Sequence, residues 1–304
     1  MSSQRSELSQ GEPARRLDWI GAAVAALALV AASAWITRYA WYDLLVLAWN
    51  DPESSHVLMV PLVFAWLAWH RRHHLRRGQP PRNRWVGTLL IGLGWFLWSF
   101  GYRFDFQSLW HGGAVLMALG AVLTVVGAEP LRAWWPAFGT LVFLVPVPAI
   151  GRDLVAAPLQ RVTAQATQLM AELGGLSIQR TGSLLRINGV DVAIAEACNG
   201  MRLVFTLFLA CYVFAFVTPL RWPVRVIVLL LSPVVAVAAN VCRLVPTVWA
   251  YGNVSADAAR KFHDATGWAM LVAAFVGLMG LVGLMRWVGV PVDPPGAGES
   301  ASMG

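Results

Sequence analysis

Three side chains stand at the edges of apolar runs and have the types needed for covalent chemistry: Cys198, Arg243 and His263. Cys198 lies in Ile194 to Arg202 (IAEACNGMR), where a polar segment enters an apolar run and a helix is expected to begin at about Asn199. A thiol ordinarily titrates near pH ~8.5, and a helix N-terminus or a neighbouring cation stabilises the thiolate that attacks a carbonyl. Histidine exchanges a proton near neutral pH, so His263 suits a general acid/base. Arginine stays charged, so Arg243 suits a developing oxyanion or the substrate backbone and cannot be the base. Each has a plainer alternative. Cys198 is then a small apolar residue like Cys211 and Cys242, Arg243 reaches for headgroups, and His263 is an exposed loop residue. Supporting candidates are His56, Glu196, Asn199 and Asn240. His56 would orient His263, contact substrate or cap a helix, and Glu196 would accept a hydrogen bond from Arg202 or Arg243 or sense the substrate. Asn199 adjoins the thiol, and Asn240 lies one helical turn before Arg243, on the same face.

The elements that must position these groups are membrane helices. Of 304 residues 58% are hydrophobic and only 13% charged, with sixteen tryptophans, which excludes an ordinary soluble domain. Continuous Leu/Val/Ala runs near the ~20 residues that cross a bilayer predict helices rather than a β-barrel. The runs are placed at about 17–36, 57–69, 85–100, 112–126, 134–150, 201–217, 226–249 and 268–287. These define an all-α bundle of about eight spans in one domain, 17–289, with terminal tails 1–16 and 290–304. The +7 charge sits mainly in short connections, with six arginines and no acid between His70 and Arg84. That is a topology signal, not a nucleic-acid face, and it puts both termini in the cytoplasm. No removable signal peptide is read in the polar first 18 residues.

Residues 37–56 and 251–264 are read as outer loops, the first carrying an aromatic belt. Segment 152–196 is also outer: helical periodicity to Leu173 predicts an amphipathic helix on the membrane surface, and alternation around Asn188-Gly189 predicts a β-hairpin. Cys198, Arg243 and His263 therefore share the extracytoplasmic boundary. The three cysteines form no disulfide framework or C-x-x-C motif, and no cofactor is called for.

These segments also carry a likeness. Ala197 to Arg202 (ACNGMR), Asn240 to Arg243 (NVCR) and His263 to Trp268 (HDATGW) resemble the three signature regions of the exosortase/archaeosortase family of polytopic membrane cysteine transpeptidases. Ser55 to Pro61 (SHVLMVP) is similar to an upstream region of that family, and the likeness runs from about Trp41 to Trp268. Asn199 stands where serine is the more usual residue, and Val57 replaces a glycine. The resemblance implies that Cys198 is the nucleophile, with Arg243 and His263 at the arginine and histidine positions. It implies as partners secreted proteins with a short C-terminal motif such as Pro-Glu-Pro, a transmembrane helix and a basic cluster. It also implies an inner-membrane location, contact with membrane lipids and a lipid-linked or cell-surface acceptor. The competing reading is a non-enzymatic transporter or assembly factor for envelope polysaccharide, in which Arg243 and His263 hold an anionic or lipid-linked ligand. A metal-dependent protease using His56, Cys198 and His263 is disfavoured, since no H-E-x-x-H helix or carboxylate cluster is present.

Overall fold

Apolar runs among the described residues fold largely as helices, because backbone in hydrocarbon has no water to bond and must satisfy itself within the segment. The computed structural model describes residues 21, 24–74, 83–147, 149–193 and 200–292. It divides into two compact units, one of Met1–Asn50 with Val57–Pro148, the other of Asp51–His56 with Ala149–Gly304. The chain is an all-α polytopic membrane protein carrying one small sheet. Among the described residues four helices are long and apolar enough to cross a membrane, or up to five crossings if a bent pair counts as one.

In the first unit that bent pair is α1 (Val24–Ile36) and α2 (Arg38–Asn50), which meet at 75°. At the break, Thr37 donates its hydroxyl to the Ser33 carbonyl at 2.7 Å and receives the Trp41 indole N–H at 3.0 Å. The stretch read as an outer aromatic loop is thus largely helix. Its tyrosines and Trp49 are exposed, whereas Ala40, Leu44 and Ala48, spaced by one turn, form a buried face. A 3₁₀ segment, Pro52–Met59, follows, then α3 (Val60–His70).

Next come α4 (Trp85–Arg103) and α5 (Gln107–Val126), an antiparallel pair joined by three residues. Their seam is built of glycine. Gly87, Gly94 and Gly101 recur every seventh residue and face the other helix, as do Gly113 and Gly120. A Cβ on Gly94 would lie 2.7 Å from the Met117 backbone nitrogen, and one on Gly113 would lie 2.3 Å from that of Trp98. The backbones touch, which only glycine permits. Asp43 of α2 lies 3.0 Å from buried His111 of α5, and the other ring nitrogen lies 2.7 Å from the Gln107 carbonyl oxygen. The apolar run read over 134–150 is not one helix. A short helix, α6 (Glu129–Ala133), precedes it, and the run itself breaks into α7 (Trp135–Thr140) and a 3₁₀ turn, Leu141–Leu144, because Pro136 and Pro146 punctuate it.

The second unit holds α8 (Ala149–Leu173), then β1 (Gln179–Thr181), β2 (Leu184–Ile187) and β3 (Val190–Ala193), and finally α9 (Gly200–Val217), α10 (Trp222–Asn253) and α11 (Ala256–Trp287). The strands make an antiparallel sheet in the order β1-β2-β3, with β2 and β3 turning at Asn188 and Gly189, both at positive φ. Ile178, Leu185, Ile187 and Val192 pack with Ala164 and Ala171 of α8 and with Leu244 and Val248 of α10 in one apolar cluster. A second cluster, including Leu203, Leu207, Val228, Ala236, Ala274 and Leu278, joins α9, α10 and α11.

The outer loop expected over 251–264 is corrected to a two-residue turn, Val254 and Ser255. Its polar residues favour helix even though they disfavour hydrocarbon. Ser255 caps α11 by accepting from the Ala258 N–H at 3.4 Å, and Asp257 pairs with Lys261 one turn on at 3.0 Å.

Candidate functional site

Helix α10 lays its polar residues along one buried face. Ser232, Asn240, Arg243 and Thr247 are all buried, at steps of a helical turn or multiples of it. A guanidinium within an apolar helix must be held by hydrogen bonds to be tolerated. Arg243 is 8% exposed and donates through Nη2 to Asn240 Oδ1 at 3.0 Å. Asn240 can accept here because three residues along a helix return to the same face. Pro246 has no N–H to give the Cys242 carbonyl, and Thr247 donates its hydroxyl to the Arg243 carbonyl at 2.8 Å, so the backbone hydrogen bonding around Arg243 is itself adapted.

His263 lies on α11, in its second turn, instead of in a loop before the span. It is partly buried and its Nδ1 is enclosed. One turn further on the same face is Gly267, where a Cβ would stand 2.8 Å from Arg243 Nη1. The arginine on α10 and the histidine on α11 are therefore brought to neighbouring turns of one helix pair. The connecting turn is short, and both lie about ten residues from it, or ~15 Å at 1.5 Å per residue.

His56 enters from far upstream. Its ring stacks on Phe205 of α9 with centroids 5.1 Å apart and planes at 18°. That sets it over the opening turns of the helix that follows Cys198. The stacking partner Phe205 was not singled out in the sequence, because nothing in its apolar run marks it.

Cys198, Glu196 and Asn199 lie outside the described residues. Their flanks are described: β3 ends at Ala193 and α9 starts at Gly200. Both flanks are anchored to α10. On the sheet side, Asn188 Nδ2 donates to the Gly252 carbonyl at 3.2 Å, and Leu244, next to Arg243, belongs to the sheet's apolar cluster. On the α9 side, Leu203 and Leu207 pack in the cluster that includes Ala236 of α10. Cys211 is buried and Cys242 exposed, each on an apolar helix. No group of three His, Cys, Asp or Glu side chains among the described residues could hold a metal ion.

Long apolar helices with a buried, hydrogen-bonded arginine define a polytopic membrane protein with a polar site built into its helix packing. The chain belongs to the transmembrane exosortase family, whose family model matches residues 48–280. That range contains all four segments quoted above. No curated protein and no solved structure matches the chain.

Proposed function

We propose that the protein is a membrane cysteine transpeptidase that cuts the C-terminal sorting tail of secreted proteins, with Cys198 as nucleophile, Arg243 as oxyanion holder and His263 as general acid/base. The observation that carries this reading is Arg243, buried and fixed by Asn240 while its Nη1 lies against α11 one turn from His263. A pre-oriented donor beside a proton carrier is what acyl transfer requires of its surroundings.

In the first step the Cys198 thiolate attacks the scissile carbonyl carbon. The oxyanion is stabilised by Arg243, and as the tetrahedral centre collapses the C–N bond breaks and His263 gives its proton to the departing amine. The tail leaves and a thioester remains. In the second step an amine or water, deprotonated by His263, attacks the thioester; the C–S bond breaks and the thiolate returns. His56 and Glu196 shape the substrate's approach, Asn199 flanks the thiol and Asn240 holds the arginine.

Membrane placement follows from charge. Arg225 near the start of α10 and Arg286 near the end of α11 mark a basic end, and Arg221 joins it by donating its N–H to the Val292 carbonyl at 2.8 Å. Basic ends stay in the cytoplasm. Counting about 20 residues of hydrocarbon from Arg225 and back from Arg286 reaches Val245 and Thr266, beside Arg243 and His263. The site then faces the extracytoplasmic side of an inner membrane, in a chain of about eight crossings with both termini inside. A substrate's own tail helix would cross beside the protein with its basic end in the cytoplasm, leaving its motif at the site.

The test is co-expression with a secreted protein from the same genome that ends in a short shared motif, an apolar helix and arginines. The unsubstituted protein should shorten it by the mass of the tail, and Cys198→Ala should leave it whole. Processing that persists in Cys198→Ala would remove the cysteine from the mechanism and favour the transporter or assembly-factor reading.

A further inference from the structure

Several glycines in the structure are explained by backbone contact: those of the α4–α5 seam would drive a Cβ into the opposite main chain. On α11, by contrast, Gly277, Gly280 and Gly283 face open space. Gly267 fits neither group. Among the described residues, and apart from its chain neighbours and its own helix's backbone, the atom that its Cβ position meets within 4 Å is Nη1 of Arg243, at 2.8 Å. A glycine in mid-helix weakens that helix relative to alanine, so helix formation does not account for it.

Arg243 is thus held by its own helix and given room by the next. Nη2 donates to Asn240 on its own helix, and Nη1 is seated in a notch that α11 leaves by having no side chain at position 267. The hydrogen bond at Nη2 orients the planar guanidinium, and the space at 267 admits Nη1 in that orientation.

We propose that Gly267 is a positioning residue whose missing side chain seats the Arg243 guanidinium against α11, one turn past His263, and so aims the arginine fork at the reacting carbonyl. This rests on the reading of Arg243 as the oxyanion holder. A methyl at 267 would meet only the far end of a flexible side chain, which moves aside without disturbing backbone. The arginine would be misaimed while the fold stays intact.

The experiment is a single-turnover cleavage assay in detergent, with the tail-bearing secreted protein as substrate, on Gly267→Ala, Arg243→Lys, the double variant and Cys198→Ala. Gly267→Ala should lower the cleavage rate at saturating substrate by about tenfold or more, since an ångström of misplacement is felt at that scale. KM should stay within about twofold, and the thermal midpoint should be unchanged or raised, as expected when an alanine replaces a helical glycine. Lysine has no Nη1, so in the Arg243→Lys background the same change should alter the rate by less than about twofold, the mark of two residues acting as one unit. Equal losses in both backgrounds, a lowered midpoint or an unchanged rate in Gly267→Ala would each overturn the proposal. An unchanged rate beside an inactive Cys198→Ala overturns it alone, whereas cleavage by Cys198→Ala, or none by the unsubstituted protein, overturns the parent reading.

Discussion

In the proposed mechanism the chemistry turns on Arg243, because charge, burial and fork geometry meet in it. Lysine would keep the charge but offers one compact ammonium where the guanidinium offers a planar fork, so Arg243→Lys should lower kcat about 100-fold, the usual loss for an oxyanion donor. A loss of less than about threefold would reduce the arginine to a point charge. Asn240 has a separate signature. Replacing it by leucine leaves a buried guanidinium short of an acceptor, which costs about 1–3 kcal/mol, so the thermal midpoint should fall along with activity. Their partnership is legible in the sequence, since a polar pair three residues apart in an apolar helix must share a face. Gly267 is not, because its role exists only once α10 and α11 are packed. Hydropathy puts His263 in a loop because it reports hydrocarbon and says nothing of helicity; the cap at Ser255 and the Asp257–Lys261 spacing are the signals for helix there.

Among the elements, the α4–α5 hairpin and the α8-sheet module can be tested independently of the chemistry. At Gly94, leucine would force two backbones apart and cost about 1–3 kcal/mol or more, while leucine at Gly92, which faces open space, should leave the thermal midpoint unchanged. Equal effects at the two positions would contradict the seam. Its seven-residue glycine repeat stands in the sequence, but apolar length alone is blind to the residues that set helix distance.

In the sheet, Arg186 and Asp191 form a doubly hydrogen-bonded pair across β2 and β3. The guanidinium holds the Asp191 carboxyl below its ordinary value, so the contribution is present at pH above about 4 and is lost as acid protonates the carboxylate. The pair is exposed, and Asp191→Asn should change the thermal midpoint at pH 7 very little. A large fall would mean the pair anchors the sheet more than its exposure implies. Alternation around Asn188-Gly189 marked strand character here, but β1 was not separately foreseen. Its three residues are too short for a pattern.

At the scale of the whole molecule, the loop charges gave an orientation that the helix lengths of the second unit accommodate. Both α10 and α11 run past the ~20 residues a bilayer needs, and on the proposed placement the excess lies at the end that carries Arg243, His263 and the sheet. A membrane-impermeant thiol reagent added outside intact spheroplasts should therefore label a cysteine placed at Asn253 and spare one placed at Arg225. The opposite pattern would invert the protein. The break at Thr37 is less legible, because an apolar run is silent about where packing interrupts it, whereas Pro136 and Pro146 mark an interruption by residue type alone.

If Cys198 acts as proposed a thioester forms on it, and the intact mass of the protein after acid quenching of the reaction with a tail-bearing substrate reports it. A mass increase equal to the substrate without its tail, located on Cys198, released by neutral hydroxylamine and absent from Cys198→Ala, is the predicted result. Tail release with no adduct at any quench time, or an adduct that persists in Cys198→Ala, would contradict it.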